Sequence, residues 1–457
     1  MNARRERGRS LGMALLLALL PVTGFAAPLD PRAAGVQLTK DWTVTEGRSF
    51  VVVHPPGKDE ILVPYLLETL EAQRDAIQRE LGIEVPGKVR VEILDGVASL
   101  ARLTGLTEEE IRRSGTVAVA KFDKLMLLSP RLLVKGYDWL DTAAHEYVHH
   151  AVTLRTADRT PVWLHEGVAK WGETLWRAGG GASYNPYAAA LLEVAIQKGK
   201  LVTFEEMYPS VAKLSGERAT LAFAEVLLAV EFLVQQGGPG ALAAVIDGVA
   251  SGKDAREAMA AAAHRTWPQF EEGWRKYMAA KPMPRGGERE RIRLRFRDDP
   301  KQASGWQEWA EIPDERARGF ARLGQIFRER GKWTAARLEY GKAYGRVGPR
   351  WAVLADQYAL ASMMSGDDAG AERILGDALR HSPGSAALHV HLARPLLKRG
   401  EWAAARDQLV LANREDPFDP EIHAGLAKAL AELSDPAGAS REERFARILT
   451  GPGPSHP

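Results

Sequence analysis

The sequence predicts two dissimilar parts. The first is an α+β domain in which a small twisted sheet supports one central helix and a helical subdomain. The second is an all-α solenoid. Three observations carry this reading. Short β-branched runs precede position 130, and a helix over about 138–153 carries His145-Glu146-Tyr-Val-His149. Beyond 317, a glycine and alanine pattern recurs at 34 or 35 residues.

The N-terminus reads as a targeting segment, 1–26. Arg4, Arg5, Arg7 and Arg9 form a basic start, Leu11 to Leu20 is apolar, and Gly24-Phe25-Ala26 offers small residues for cleavage after Ala26. The alternative is an uncleaved membrane anchor, but the apolar run is shorter than the ~20 residues a span needs. No later segment reads as apolar enough to cross a membrane, so the expectation is a periplasmic or secreted protein with no membrane span after cleavage. Residues 27–48 read as an irregular lead-in. Ser49–His54 and Lys88–Leu94 read as strands. Between them, apolar positions at Leu62, Leu66, Leu67, Leu70, Ile77 and Leu81 predict a helix over 61–81 that Gly82 ends.

Leu106-Thr107-Glu-Glu-Glu110 carries the capping pattern of a short helix. Two apolar runs, Thr116–Ala120 and Leu125–Leu128, predict a hairpin just before the histidine helix. After the polar connection Arg155–Thr160, Pro161 opens a further helix containing Trp163, Glu166 and Gly167. Residues 185–280 read as almost wholly helical. Residues 281–316 read as a linker, with a helix through Glu288–Arg297 as the alternative for part of it.

The repeat is defined by Gly331-Lys-Trp333-Thr-Ala-Ala336, Gly366-Asp-Asp-Ala-Gly-Ala371 and Gly400-Glu-Trp402-Ala-Ala-Ala405. Ala343, Ala378 and Ala412 follow each glycine by twelve residues, and Pro383 and Pro417 close the second and third units. This pattern is similar to the tetratricopeptide repeat, whose small residues let paired helices pack closely. The expectation is a repeat domain over 317–434, made of three repeats plus a capping helix at Glu421–Leu433, and a C-terminal tail over 435–457.

Composition narrows the chemistry. A formal net charge of +2 gives no argument for nucleic acid. The absence of cysteine excludes disulfides, thiolate metal sites and cysteine nucleophiles, so any metal must be held by His, Asp or Glu. His145 and His149, four apart on a helix, share one face and can chelate a divalent cation, most readily zinc. Glu146, beside the first ligand, is placed to act as general base on a water at that cation. Glu166 lies on the next helix, which a short loop can fold back to complete a His2Glu set with one open position. His150 and His165 flank these positions but point to other faces, and His389 and His391 cannot share a face.

The H-E-x-x-H plus glutamate arrangement resembles the gluzincins. Pro161-Val-Trp163-Leu164-His-Glu166-Gly167-Val-Ala169 looks like the corresponding text of peptidase MA-like domains. The resemblance is specific over about 138–176 and looser over 45–280, which it makes a zincin-like catalytic domain. It implies a zinc (Zn2+) metallopeptidase acting on a peptide or protein substrate, with His145, His149 and Glu166 as ligands and Glu146 as the catalytic base. It also implies an edge strand that pairs with extended substrate, for which Thr116–Ala120 is the candidate. Phe223 stands where related domains commonly carry an oxyanion-stabilising tyrosine, with Tyr184, Tyr187 and Tyr208 as substitutes by residue type. Position 170 is lysine, which leaves Glu173 as the acidic group expected near the ligands. The repeats would bind a protein partner on their concave face. A second reading keeps the repeats as the functional part and makes the first domain a non-catalytic scaffold. Phe223 favours that reading and the intact Glu146 argues against it.

Overall fold

The computed structural model describes residues 42–180, 186–207, 214, 216–282, 294–299, 309–310 and 312–451. The expected targeting segment, Tyr184, Tyr208 and most of the expected linker lie outside these residues. Five strands, β1 (Thr43–Glu46), β2 (Phe50–His54), β3 (Val89–Leu94), β4 (Ala118–Lys121) and β5 (Lys124–Leu128), form a mixed sheet in the order β1-β2-β3-β5-β4. The three central strands are parallel and nearly all buried, as their β-branched and aliphatic runs require when both faces are covered. β1 arises within the expected irregular lead-in. Gly47 turns the chain, its N–H donating to Phe50 O at 2.8 Å, so Thr43–Glu46 pairs antiparallel with β2.

α1 (Leu62–Leu81) lies between β2 and β3 and ends at Gly82 in the left-handed conformation. A helix not anticipated, α2 (Val97–Thr104), precedes α3 (Glu108–Ser114), whose Thr107–Glu110 capping box is formed. The histidine helix is α4 (Trp139–Thr156), capped by Asp138 and packed on α1, β4 and β5. Ala157 and Asp158, both with positive φ, reverse the chain into α5 (Val162–Gly172). Then follow α6 (Pro186–Lys198), α7 (Gly216–Gly237), α8 (Ala241–Ala250), α9 (Ala255–Ala262) and α10 (Trp267–Ala280). By length and composition α7 is apolar enough to cross a membrane, contrary to the sequence expectation. Its apolarity answers to packing, since 67% of its most apolar stretch is buried and it lies against α5, α6, α8 and α10.

The described part of the expected linker is not a free connection. Val134 N–H donates to Arg295 O and Arg297 N–H to Leu132 O, both at 2.8 Å, and Phe296 is buried. Residues 294–296 are therefore not helical, Phe296 bridging antiparallel to Leu133, and a turn follows at 297–298.

The solenoid runs α11 (Glu315–Glu329), α12 (Trp333–Val347), α13 (Ala352–Met364), α14 (Asp368–Leu379), α15 (Ala386–Arg399), α16 (Trp402–Glu415), α17 (Pro420–Glu432) and α18 (Pro436–Thr450). The last pair corrects the expected capping helix and tail. It is a fourth hairpin of the same kind. Ser434 adopts φ 64 where Gly331, Gly366 and Gly400 have 68, 83 and 74, and Ala439 and Ala446 keep the alanine register. His389 and His423, also in register, each donate Nε2–H to the carbonyl of the preceding proline, Pro383 or Pro417, at 2.8 and 2.7 Å. α13 packs on α15 and α15 on α17, so the first helices of the hairpins form the inner layer.

The fourth hairpin is docked on the first domain. Phe445 and Leu449 join its apolar core. Tyr65 Oη donates to the Glu442 carboxylate at 2.7 Å, and His423 Nδ1 lies 2.7 Å from the same group. At the start of α4, Trp139 Nε1 donates to Asn413 O at 3.1 Å and Tyr137 N–H to Glu415 O at 3.0 Å. Gly136 is required there. Its φ is +67, and a Cβ would lie 1.8 Å from Glu415 O.

Candidate metal centre

α4 and α5 bring three side chains to one point. His145 Nε2 and His149 Nε2 are 3.0 Å apart, and each lies 3.6 Å from Glu166 Oε2. The i, i+4 spacing stacks the imidazoles on one face of α4. Two close approaches bring α5 into place. A Cβ on Gly172 would meet Val148 of α4 at 3.0 Å, and one on Gly167 would meet Val226 O of α7 at 3.1 Å. Gly167 thus lets α5 wedge between α4 and α7 with Glu166 facing the histidines.

These residues fit a divalent cation on geometry and on chemistry. A point ~2.0 Å from all three donor atoms exists, the bond length zinc takes to imidazole nitrogen and carboxylate oxygen. All three side chains are buried, and Glu166 Oε1 and Glu146 Oε2 have no hydrogen-bond partner among the described residues. Buried polar atoms left this way normally answer to an ion or water. The charge balance agrees. Burial opposes it, yet the Glu166 and Glu173 carboxylates push the His145 imidazole up to about 9. Against the same burial, His149 and His145 pull Glu166 down to about 2. The pocket therefore favours a positive charge held between two nitrogens and a carboxylate.

Glu173 occupies the outer position that the sequence left to it. Its Oε2 accepts from His145 Nδ1 at 3.1 Å, which turns the Nε2 lone pair toward the other ligands. Lys170 pairs with Glu173 Oε1 at 2.6 Å and not with Glu166. Glu146 is also buried, which raises its carboxyl, and it accepts a hydrogen bond from the Ala120 backbone N–H. β4 is the sheet edge. Since Leu128 N–H donates to Val117 O, the alternation of an antiparallel pair turns the N–H and C=O groups of Ala118 and Ala120 away from β5.

The flanking residues are kept apart from the donors. His165 packs edge-on against His149 with centroids 4.4 Å apart and donates Nε2–H to His149 O at 3.2 Å. Burial, with His149 adding, pushes it down to about 3 and keeps it neutral. His150 packs near Tyr147. His389 and His391 bond to different partners, Gln408 and Asp356. Phe223 is half-buried against the apolar core, and Tyr187 Oη donates to Glu217 at 3.4 Å. Sequence reasoning missed the support under α4. Asp141 accepts from Trp176 Nε1 at 2.9 Å and pairs with Arg177 at 2.7 Å, while Arg414 of α16 lies over the Trp176 ring. No local pattern reveals contacts between residues so far apart in the chain.

The family comparisons follow the same division. A model of the peptidase MA superfamily matches residues 108–280, and one of the tetratricopeptide repeat matches 362–429. No curated protein matches the chain in sequence. Among solved structures, one described as a functional characterization of Pseudomonas aeruginosa pilF is 15% identical, with 58% of this chain and 92% of that one covered and a TM-score of 0.28. Yeast LTA4 hydrolase in complex with bestatin is 11% identical, with 89% and 67% covered and a TM-score of 0.34. Likeness at that level bears no argument about this chain. The chain carries a peptidase MA superfamily domain over 108–280, followed by tetratricopeptide repeats.

Proposed function

We propose that this chain is a zinc metallopeptidase that hydrolyses peptide bonds outside the cytoplasm, with its repeats recruiting protein. The convergence of His145, His149 and Glu166 on one point, with Glu146 beside it, is the observation that carries the reading. His145, His149 and Glu166 would hold the zinc ion, which when bound supplies Lewis-acid polarisation of water and of the scissile carbonyl. Glu146 would take the proton of the attacking water and deliver it to the leaving amine. Its burial raises its proton affinity toward that task. The outward N–H and C=O of Ala118, with the C=O of Ala120, would pair with an extended substrate and hold it beside Glu146. The extracytoplasmic placement rests on the basic and apolar pattern of residues 1–26.

The non-catalytic scaffold reading retains Phe223, which offers no hydroxyl to a developing oxyanion. One comparison separates the two. Purified protein should bind about one zinc per chain. Glu146→Gln should keep the metal and lose cleavage of casein. Equal inertness of wild type and Glu146→Gln toward casein and a peptide library would support the scaffold. Failure of His145→Ala to change metal content would refute the site.

A further inference from the structure

We propose that the exposed face of α11 docks an acidic amphipathic helix of a partner protein. The face is defined by comparison within the array. Ala317, Ala321 and Gly324 turn inward, Gly324 meeting Tyr340 of α12. The opposite stripe carries Arg322, Leu323, Ile326 and Arg330 at helical spacing. Leu323 and Ile326 are 39% and 43% exposed. Counted back from the left-handed residue that ends each first helix, the same two positions are Tyr358 and Ala361, Leu392 and Pro395, and Leu426 and Ala429. All six are buried or half-buried.

The later joints show what fits this stripe. α12 packs on α13, α14 on α15 and α16 on α17, so one helix of the preceding hairpin covers the position each time. A solenoid that ends without a partner needs a polar outer face on its last repeat, and among the described residues the α11 end presents leucine and isoleucine instead. A single helix is therefore the shape that completes it.

Charge identifies the occupant. Residues 317–350 hold nine Lys or Arg against two Glu, which makes this repeat strongly basic. Arg337 and Arg346 pair with Asp367 and Asp314, but Arg330 and Lys332 have no carboxylate partner among the described residues. An acidic rim on the incoming helix would meet these cations and its apolar stripe would cover Leu323 and Ile326. A second copy of this chain would bring two basic repeats face to face, which disfavours self-association through this end. The array is anchored through its third and fourth hairpins, by α16 and α18, so the first hairpin, which carries α11, stands apart from the dock. The inference does not depend on the zinc reading.

The test uses the full chain carrying Glu146→Gln, so that the probe is not cut. The probe is a fluorescein-labelled helix of about 18 residues with Leu at i, i+3, i+4 and i+7 and Glu elsewhere, read by anisotropy. A counterpart carries Lys in place of Glu. The expected result is binding of the Glu probe alone. Leu323→Ser with Ile326→Ser, which keeps every charge, should weaken it at least about 10-fold. Arg330→Glu with Lys332→Glu should weaken it similarly, and with the repeat charges intact the affinity should fall as salt rises. Both variants change exposed side chains, and melting curves check their folding. If the serine variant loses stability, the charge-reversal variant decides. Unchanged binding by either folded variant, or equal binding of the Lys probe, would overturn the proposal. So would concentration-dependent self-association that the serine substitutions abolish, because the occupant would then be a second copy.

Discussion

Glu173→Ala removes the carboxylate that holds His145 by its Nδ1–H at 3.1 Å. Both side chains are 8% exposed, so solvent screens this contact little. Without it the imidazole loses both its fixed tautomer and its fixed ring angle, and the Nε2 lone pair no longer points steadily at the other two donors. Loss of such an outer partner lowers metal affinity by about 10–100-fold, or about 1.4–2.7 kcal/mol. Zinc affinity can be read by competition against a chromophoric chelator, with melting of the metal-free protein to separate binding from folding. Glu173→Gln keeps an oxygen acceptor without the charge and should fall between wild type and Glu173→Ala. Lys170→Met should act in the opposite direction. Lys170 Nζ lies 2.6 Å from Glu173 Oε1, and removing that cation leaves the carboxylate's full charge to His145 and the metal. Affinity for Glu173→Ala within about twofold of wild type would refute the reasoning, because the expected loss is well beyond that.

Gly136→Ala forces a side chain into a positive φ and against Glu415 O, so it should lower the melting temperature and loosen the repeat dock. Gly319→Ala, inside α11 with nothing near its Cβ, should instead stabilise by about 0.5–1 kcal/mol, and denaturant titration measures both. Glu225 gives a pH test. Burial pushes its carboxyl up to about 8, against the hydrogen bond from Val202 N–H. The unfolded chain releases that proton near 4.5 and the folded chain keeps it to about 8. The folded state binds more protons between these values, so this group makes stability fall as pH rises through that window. Glu225→Gln keeps an acceptor for Val202 and should flatten the denaturant midpoint across it. An unchanged slope would remove Glu225 as the cause.

The residues of the centre were legible because each sits in a local pattern. His145 and His149 needed only helical periodicity, and Glu166 needed Pro161 to start a helix and a loop short enough to return it. Glu173 was legible once Lys170 was seen to occupy the nearer position. The fourth hairpin was not. Its turn uses Ser434 in the left-handed conformation, where the three earlier turns use glycine, so the residue type that announces the repeat was missing while Ala439 and Ala446 kept the register. β1 was hidden for a related reason. An edge strand of four mostly exposed residues carries little apolar alternation, and its pairing partner β2 defines it.

The sequence by itself determined which side chains could hold a cation, which helix presents two of them and how the repeat is spaced. Those properties follow from residue type and from separations of a few positions along the chain. Only the tertiary structure decided that Glu166 meets both imidazoles, that Ala120 of an edge strand faces Glu146, and that Asn413 and Glu415 of the repeats hold the start of α4. Those contacts join residues far apart in the chain. They depend on helix crossing, on the packing room left by Gly136, Gly167 and Gly172, and on buried apolar surface shared by the two parts, none of which a short stretch of sequence contains.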